Sequence, residues 1–471
     1  MLIQFIFIIY FSFIHTETIF VFEQFRHGAR GSAFISRNFH DKFDVEWVGD
    51  GELTGVGMRM HYLIGVHSRE KYPNLLSKHL NPKEIIVYST DLNRTILSAQ
   101  SQLLGMFPPE KGKHLDYWDF KNAVPPNPLY KETLEEINRL GDISIPKKIE
   151  VIPVNLFDHD NKPYLLTEEN ECPKMGVIKK ENFKKKIVQD SIKEFNKTYG
   201  EKLMNYFKIN NENFLFDYYT MLGITDHYIS GYVHRRNLHS FYKYGIDANE
   251  FFEDCKKFKN LTFYEIESPE EEGIMAISPT IRDMIRLMDK SIQRDLDNST
   301  TSDNNIKFAM YSGHDLTIAP MEQFLHKGFG VPRHYPDFAC NQFFELHKGI
   351  KNNTNYYYIE YYYNGEFLLN ISYTEFRSKC LSMVWPMDKI LAFCRVKHTS
   401  FINLIIYICA AITIIYIILF IMKRAKEGNK GTIRNDDKEM DLINDEEMEE
   451  NNINPEEKNF VNKGNQNAEV F

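Results

Sequence analysis

Short runs of β-branched and aromatic residues alternate with stretches of helical periodicity in the first part of this chain. Residues 19–25 and 84–89 are rich in Ile, Val, Phe and Tyr, which predicts two strands. Helices are predicted over 53–71, with Thr54 as the N-cap, and over 95–106. This alternation of strand, loop and helix predicts an α/β domain with a largely parallel sheet.

The same alternation returns nearer the carboxyl end. Ser278 and Pro279 are predicted to cap a helix in which apolar residues recur at helical spacing. Residues 306–311 predict a strand, and a further helix is expected from Thr317. Antiparallel strands at one edge of the sheet are predicted over 342–346, 356–363 and 367–373.

Residues 115–270 interrupt this pattern, because they are rich in Lys, Asn, Phe and Tyr and have few β-branched runs. Helices and long loops are predicted there. The expected fold is therefore an α/β domain, with a mostly parallel central sheet and helices on both faces. Its core is assigned to 18–114 and 271–399, and 115–270 is assigned to a smaller, mainly helical inserted domain.

The first of two uncharged apolar runs covers residues 1–14. It is shorter than the roughly 20 apolar residues that a bilayer crossing needs, and it has the length of the apolar region of a secretory signal peptide. A signal peptide is predicted over 1–17. A buried N-terminal strand is the alternative interpretation.

The second uncharged run, residues 401–422, is about as long as one membrane crossing. Lys423, Arg424 and Lys426 follow it directly, which predicts that the carboxyl side lies in the cytoplasm. The hypothesis is a type I single-pass membrane protein. Its folded part, 18–399, would be lumenal or extracellular, in a lysosome-like compartment or at the cell surface.

The charge of the chain is unevenly distributed. Its 471 residues include 56 Lys and Arg against 65 Asp and Glu, a formal net charge of -9, so nucleic-acid binding by bulk positive charge is not expected. Residues 423–471 hold 8 basic and 13 acidic residues and few aromatic ones, so this segment is predicted to be a disordered cytoplasmic tail. Because more than half of the net charge belongs to the tail, the acidic balance says little about a substrate.

Five of the six cysteines lie in the predicted lumenal part, and in an oxidising compartment two disulfides with one thiol left over are expected. Neither the cysteines nor the histidines have the spacing of a zinc site, so no metal is predicted. Glycosylation is predicted at five sequons: Asn196, Asn260, Asn298, Asn352 and Asn370.

The first candidate for chemistry is the segment 26–30, which reads Arg-His-Gly-Ala-Arg and follows the first predicted strand. Open α/β sheets bind ligands at the carboxyl ends of their strands. A guanidinium cannot lose its charge, so two arginines in a concave site call for an anion, and phosphate matches their planar donors. Gly28 allows the backbone to come close and to turn sharply.

Two further strands end in similar polar loops. Arg94 lies in the loop after the second strand, and His314 and Asp315 follow the strand at 306–311. If the three loops meet, they bring together three arginines, two histidines and one carboxylate. Such a set can transfer a phosphoryl group, with His27 as nucleophile, the arginines stabilising charge and Asp315 moving a proton.

The segments Arg-His-Gly-Ala-Arg at 26–30, Ser-Thr-Asp-Leu-Asn-Arg-Thr at 89–95 and Ser-Gly-His-Asp at 312–315 occur in this order. Together they resemble the signature loops of the histidine acid phosphatases, the HD branch of the histidine phosphatase superfamily. Residues 51–72 also resemble the segment that follows the first motif of that family. The likeness covers most of residues 20–394, and the lysosomal and prostatic-type acid phosphatases are the members it resembles most.

The resemblance implies a role for each matching residue. His27 would become phosphohistidine and Asp315 would be the proton donor, while the phosphate ligands would be Arg26, Arg30, Arg94 and His314. It implies an α/β core with a smaller helical domain, and no cofactor. It also implies disulfides Cys255–Cys340 and Cys172–Cys394, although Cys380 could take the place of Cys394.

The predicted function is that of an acid phosphatase, with a phosphate monoester as substrate. The protein is expected to be attached to the membrane, and whether it forms a homodimer is left open. One alternative is a phytase-like or inositol-polyphosphate phosphatase of the same fold, since the insertion that shapes the pocket cannot be built from sequence. Another alternative is a catalytically inactive, receptor-like ectodomain.

Overall fold

The computed structural model describes residues 16–33, 51–108, 115–116, 123, 131–157, 166–210, 215–235, 241–297, 305–351, 354–395 and 399–428. The chain divides into two compact units, Met1–Val396 and Lys397–Phe471. The helices and strands that surround the predicted phosphate-binding loops all belong to the first unit.

A seven-stranded sheet forms the centre of the first unit, in the order β3-β2-β4-β1-β5-β6-β7. Its strands are β1 (Thr16–Arg26), β2 (Ile85–Ser89), β3 (Asn155–Leu156), β4 (Phe308–Gly313), β5 (Asn341–Lys351), β6 (Thr354–Tyr363) and β7 (Glu366–Ser372). The strands β3, β2, β4 and β1 pair in parallel, whereas β1, β5, β6 and β7 pair antiparallel.

The sheet is thus evenly mixed, which corrects the prediction of a mostly parallel one. The strands predicted at one edge make up the antiparallel half, and β5 extends it to β1. Strands β6 and β7 run antiparallel because a two-residue turn joins them. Asn364 and Gly365 join β6 to β7, and both have positive φ angles, 49° and 82°. Asn-Gly is the sequence favoured by such hairpin turns.

The helices fall into three stretches of the chain. The first stretch contains α1 (Gly55–Lys71) and α2 (Asn93–Met106). The middle stretch contains α3 (Lys131–Leu140), α4 (Pro173–Asn182), α5 (Lys186–Phe207), α6 (Tyr218–Val233) and α7 (Ala248–Leu261), the last continuing into a π-helical turn, Thr262–Glu267. The third contains α8 (Glu270–Leu296), α9 (Asp315–Phe329), α10 (Tyr373–Met383), α11 (Met387–Cys394) and α12 (Thr399–Gly428).

Both faces of the sheet are covered, as predicted. Successive side chains of a strand point to opposite faces. Phe20 and Phe22 of β1 accordingly join an apolar cluster with residues of α8 and α9, while Val21 and Phe25 join another with residues of α2. The buried strand β1 is therefore held from two sides, which fixes the position of the loop that follows it.

The helix predicted to start at Ser278 and Pro279 starts earlier, because α8 begins at Glu270 and contains Pro279. Three glutamates in its first turn complement the positive end of the helix dipole. The residues just before the proline, Ile274 to Ile277, are buried. Their packing outweighs the loss of the hydrogen bond that proline removes inside a helix. The prediction that Pro279 marks the start of the helix was therefore wrong.

Helices α5, α6 and α7 pack around an aromatic core of their own, in which Phe195, Tyr199, Tyr228 and Phe251 are buried. These helices lie within 115–270, the segment assigned to the inserted domain. The boundaries of that domain stay a prediction.

The prediction of a transmembrane helix over 401–422 is not supported by the structure. A helix is present there, α12, but the described part of the chain contains no helix with both the length and the apolar character that a membrane crossing requires. Residues 1–15 and 429–471, most of the predicted signal peptide and tail, lie outside the described residues.

A disulfide joins Cys172, at the start of α4, to Cys394, at the end of α11. Cys380 is buried and free, so it does not replace Cys394. The second pair implied by the resemblance does not form, since Cys255 and Cys340 are both free. They belong to different apolar clusters, Cys255 to that of the middle helices and Cys340 to that of β1 and α8.

Candidate active site

Three loops leave the sheet side by side at its carboxyl edge. Arg26, the last residue of β1, pairs with Gly313, the last residue of β4. Ser89, the last residue of β2, pairs with Ser312 of the same central strand. The loops that begin at His27, Thr90 and His314 therefore start from one edge, which brings together the residues predicted to bind phosphate.

His27 is buried, with 2% of its surface exposed, and its ring is oriented by its own loop. Nδ1 lies 2.9 Å from the carbonyl oxygen of Gly28, which only accepts, so Nδ1 carries the ring proton. Nε2 of the neutral ring is then left with a lone pair. Burial, and after it Arg26 and Arg30, hold the pKa of His27 well below its usual value. The ring therefore stays neutral in moderately acidic solution.

Gly28 allows this loop to sit directly on the start of α1. A Cβ atom at Gly28 would lie 2.4 Å from the carbonyl oxygen of Gly57, closer than real Cβ atoms come to backbone. Thr54, the N-cap of α1, accepts from the amide of Gly57 and donates to the carbonyl of Ala29 at 3.0 Å. The close approach predicted for Gly28 is thus confirmed, and the contact is with a helix.

Arg26 is the most deeply buried of the three arginines. Its Nη2 lies 2.8 Å from Oδ2 of Asp315, and its Nη1 donates to the carbonyl of Pro336 at 2.6 Å. The guanidinium stacks over the ring of Phe338, 4.4 Å from the ring centre. Such stacking favours a cation and holds the planar group in place.

Arg30 is held by a carboxylate that sequence inspection missed, Asp226 of α6. Its Nη1 and Nη2 donate to the two oxygens of Asp226 at 3.1 and 2.9 Å, and Asp226 also accepts from the hydroxyl of Ser32. Burial alone would raise the pKa of Asp226, but Arg30 and Lys259 outweigh it, and the pKa falls well below its usual value. The ion pair fixes Arg30 and ties the loop to α6.

Arg94 and His314 complete the predicted set. Burial and then Arg30 lower the pKa of Arg94 to about 10, as expected for a cation placed among other cations. Nε2 of His314 lies 2.9 Å from Oγ1 of Thr90, and burial followed by Arg94 lowers the pKa of His314 to about 3. His314 is accordingly a neutral hydrogen-bonding group.

The three arginines share unused hydrogen-bonding capacity. The Nε atoms of Arg26, Arg30 and Arg94 are all buried, and within the described part of the chain none of them has a hydrogen-bond partner. Buried donors are normally satisfied. Two carboxylates, Asp226 and Asp315, face these three fixed charges, which leaves the site positively charged and suited to an oxyanion.

Asp315 is an ionised carboxylate in this arrangement. Burial would raise its pKa, but Arg26, Lys259 and Arg30 together lower it. Asp315 can therefore act as the predicted proton donor only when substrate binding changes its surroundings and raises its pKa.

Beneath the loop lies a buried polar network that the sequence analysis did not identify. Gln102 lies 2.7 Å from both carboxylate oxygens of Glu23 and 3.0 Å from Nδ1 of His61, whose Nε2 donates to the carbonyl of Arg26 at 3.1 Å. Burial raises the pKa of Glu23 to about 8 and lowers that of His61 to about 4. A neutral imidazole has one N–H, so with Nε2 donating to Arg26 the Gln102 amide satisfies the network when its NH2 group faces Nδ1 of His61 and its oxygen accepts from protonated Glu23. The network then supports the backbone at Arg26 with uncharged groups.

The burial of His61 could have been predicted from the spacing of small residues around it. Gly57, His61, Gly65 and Ser68 are the buried residues of α1 and recur every three or four positions, so a small-residue stripe marks this face. Asp226 has no such signal, because it lies 196 positions from Arg30.

The predicted glycosylation sites differ in their surroundings. Asn370 is exposed on β7, whereas the side-chain amide of Asn196 donates to the carbonyls of Ile192 and Phe216 within the middle helices. Asn260 is half-buried, with a buried Oδ1. Asn298 and Asn352 lie outside the described residues. A glycan at Asn196 would displace these hydrogen bonds, and glycosylation at the other sites stays a prediction.

The chain is similar to a known protein family and to several named proteins. Residues 10–364 match the family described as the histidine phosphatase superfamily (branch 2). The prostatic acid phosphatase of Bos taurus is 24% identical over 354 residues, 74% of this chain and 78% of the relative. That of Homo sapiens is 24% identical over 370 residues, 77% of this chain and 82% of the relative.

Among solved structures, the phytase from Citrobacter braakii superposes with a TM-score of 0.54 at 12% identity, over 82% of this chain and 100% of the phytase. The phytase of Hafnia alvei in complex with tartrate gives 0.53, also at 12% identity, over 81% of this chain and 99% of the phytase. At such identity these likenesses show the fold alone. Since the family match covers most of the chain, this protein belongs to branch 2 of the histidine phosphatase superfamily, the histidine acid phosphatases.

Proposed function

We propose that the protein is an acid phosphatase that hydrolyses phosphate monoesters through a phosphohistidine at His27. The observation that carries the proposal is the state of His27, a buried neutral ring whose Nδ1 faces the carbonyl of Gly28 and whose pKa is lowered by burial and by Arg26, Arg30 and Arg94. Family membership and the relatives named prostatic and lysosomal acid phosphatases support it. The likeness to phytases concerns the fold, so it does not favour inositol polyphosphates as substrates.

In the first step, Nε2 of His27 attacks phosphorus and the bond between phosphorus and the ester oxygen breaks. The proton on Asp315 passes to the leaving oxygen, which departs as an alcohol. In the second step, water attacks phosphorus, the bond to His27 breaks, and Asp315 takes the proton released by water. Arg26, Arg30, Arg94 and His314 stabilise the charge on the transferred group in both steps.

Because Asp315 is paired with Arg26, it can act as the proton donor only when substrate binding raises its pKa. A phosphate group bound by the arginines adds negative charge next to Asp315 and draws on the donors of Arg26, and both effects raise the pKa of the carboxyl. Substrate binding is then coupled to the uptake of a proton. An acidic optimum follows, because the required proton is supplied more readily at low pH.

We further propose that the enzyme works in a lumenal or extracellular compartment. The relatives called lysosomal and prostatic acid phosphatases support this location, as does the disulfide Cys172–Cys394, which requires an oxidising environment. The signal peptide at 1–17 and glycosylation at Asn370 belong to the same proposal.

The test is phosphate release from p-nitrophenyl phosphate by the purified protein between pH 4 and pH 8. Activity is expected to be greatest on the acidic side and to be lost in His27→Ala. A matched control is His79→Gln, because His79 is largely exposed and its Nδ1 lies 3.9 Å from Glu150. Unchanged turnover in His27→Ala would refute the mechanism.

A further inference from the structure

Three chelating side chains meet on the antiparallel side of the sheet, on strands away from the predicted catalytic loops. Glu345 and His347 are two positions apart on β5 and therefore point to the same face. Glu360 of β6 is the cross-strand partner of Glu345. One ligand atom from each of the three lies within 4.8 Å of the others.

The pairing of Glu345 with Glu360 is unfavourable by itself, since like charges placed directly opposite on neighbouring strands repel. Lys71 balances part of this charge, because its Nζ contacts Oε1 of Glu345, which also accepts from the hydroxyl of Tyr72 at 2.6 Å. The remaining oxygen of Glu345, Oε2, faces His347. One negative charge is left over at a place where only 2% of Glu345 is exposed.

His347 provides an independent observation. It is 8% exposed, and in the described part of the chain its Nε2 has no hydrogen-bond partner. That atom lies 3.3 Å from Oε2 of Glu345 and 3.5 Å from Oε2 of Glu360, without hydrogen-bond geometry to either. Among the described residues, a buried ring nitrogen aimed between two carboxylate oxygens is therefore left without a partner, although Oε2 of Glu360 also accepts from the hydroxyl of Tyr362.

The two distances from Nε2 of His347 match those between ligands of a tetrahedral metal ion, and all three ligand atoms lie within 4.8 Å of one another. With metal–ligand bonds of about 2.1 Å, ligand atoms on neighbouring corners are about 3.4 Å apart. The other ring nitrogen of His347, Nδ1, lies 3.2 Å from the hydroxyl oxygen of Thr18. When Nδ1 carries the ring proton and donates it there, Nε2 is free to bind a metal, which is the arrangement usual for metal-binding histidines.

Neighbouring side chains also fix the orientation of Glu360 and His347. Glu360 accepts from the hydroxyl of Tyr362 at 2.6 Å and from the amide of Asn370 at 3.1 Å. The ring of His347 stacks on Tyr358, with ring centres 4.9 Å apart. Groups held in this way lose little freedom when an ion binds.

We propose that Glu345, His347 and Glu360 form a binding site for a divalent transition metal of the Zn²⁺ class. One imidazole and two carboxylates are ligands that such ions accept, and a fourth position is left for water. The site joins β5 to β6 and, through Thr18, to β1. Its role is to hold the antiparallel half of the sheet together, separately from catalysis.

The experiment titrates the purified full chain with Zn²⁺ alone in phosphate-free buffer, by calorimetry, and counts bound metal by atomic emission after dialysis. The wild-type protein is expected to bind one Zn²⁺ more than His347→Gln and to bind it at least tenfold more tightly than Glu360→Gln. His79→Gln is the matched control and should behave as the wild type does. Zinc held by the catalytic histidines or by free cysteines is common to all these proteins and cancels in the comparison.

Equal zinc binding by wild type and His347→Gln would overturn the proposal, and so would a wild-type protein that binds none. The second result would mean that Nε2 of His347 faces the two carboxylates with no ion between them. Circular dichroism confirms folding of each variant. If His347→Gln does not fold, Glu360→Gln carries the comparison, since the side chain of Glu360 is 21% exposed and a glutamine there can accept from Asn370 while its NH2 group donates to the hydroxyl oxygen of Tyr362.

Discussion

Nη2 of Arg26 lies 2.8 Å from Oδ2 of Asp315 in a site where both side chains are largely buried. The contact joins the end of β1 to the first residue of α9, across the two loops predicted to act on phosphate. It keeps Asp315 ionised when the site holds no anion, and it makes Arg26 the group that must be shared when an anion binds. This pair therefore controls when Asp315 can carry the proton that the proposed reaction requires.

Removing the proton donor should affect substrates unequally. Asp315→Asn is expected to lower kcat/KM for alkyl phosphates by about 10² to 10⁴, because an alcohol leaves poorly without a proton. The value for p-nitrophenyl phosphate should fall less, since p-nitrophenolate leaves unaided. The measurement is kcat/KM for glycerol phosphate and for p-nitrophenyl phosphate, because kcat/KM reports the first step and not the hydrolysis of phosphohistidine. Equal losses with the two substrates would show that Asp315 is not the donor.

The pH profile should respond to Arg26. Because Arg26 lowers the pKa of Asp315, Arg26→Gln is expected to raise that pKa and to move the alkaline limb of the kcat profile to higher pH. Its maximum should be lower, because a phosphate ligand is lost. Arg30→Gln is the matched control, as Arg30 has a smaller influence on Asp315 and is held by Asp226. A limb that stays in place in Arg26→Gln would contradict this coupling.

Breaking the ion pair of Asp226 and Arg30 should cost both stability and affinity. Asp226→Asn leaves the buried guanidinium of Arg30 without the charge of its paired carboxylate, and such changes typically cost about 3 to 5 kcal/mol. KM should rise, because Arg30 is no longer fixed for the phosphate. Thermal unfolding and steady-state kinetics measure the two effects. Asp254→Asn, at a carboxylate paired with Lys257 near the surface, should change neither by a comparable amount.

Glu23 predicts a stability that depends on pH. Burial raises its pKa from an ordinary 4.5 to about 8, so the folded protein favours the protonated form while the unfolded chain ionises above about 4.5. Stability is therefore full below about pH 4.5 and declines as the pH rises towards 8. Glu23→Gln removes this penalty and should stabilise the protein at pH 7 by on the order of 3 kcal/mol.

The comparison that tests Glu23 is the difference in unfolding temperature between wild type and Glu23→Gln at pH 4.5 and at pH 7. The difference should be small at the lower pH and clearly in favour of the variant at the higher one. A gap that does not change with pH would show that Glu23 titrates normally.

The sequence predicted most of the sheet and all of the strand-end residues at the site, for a physical reason. Strand and helix patterns are local, and catalytic loops at the ends of parallel strands are placed by those patterns alone. Asp226 escaped prediction because its contact with Arg30 depends on how α6 packs against the loop, which no local pattern records. The cysteines show the same limit, since Cys255 and Cys340 are buried in separate clusters that composition does not distinguish.

The most direct test of the mechanism is to trap the phosphorylated enzyme. The protein is mixed with a ³²P-labelled monoester, quenched in alkali within the first turnover, and digested to locate the label. The mechanism predicts acid-labile, alkali-stable phosphate on the peptide that contains His27, absent from His27→Ala and retained in His79→Gln. A label on any other residue, or full activity in an enzyme whose His27 never acquires phosphate, would contradict it.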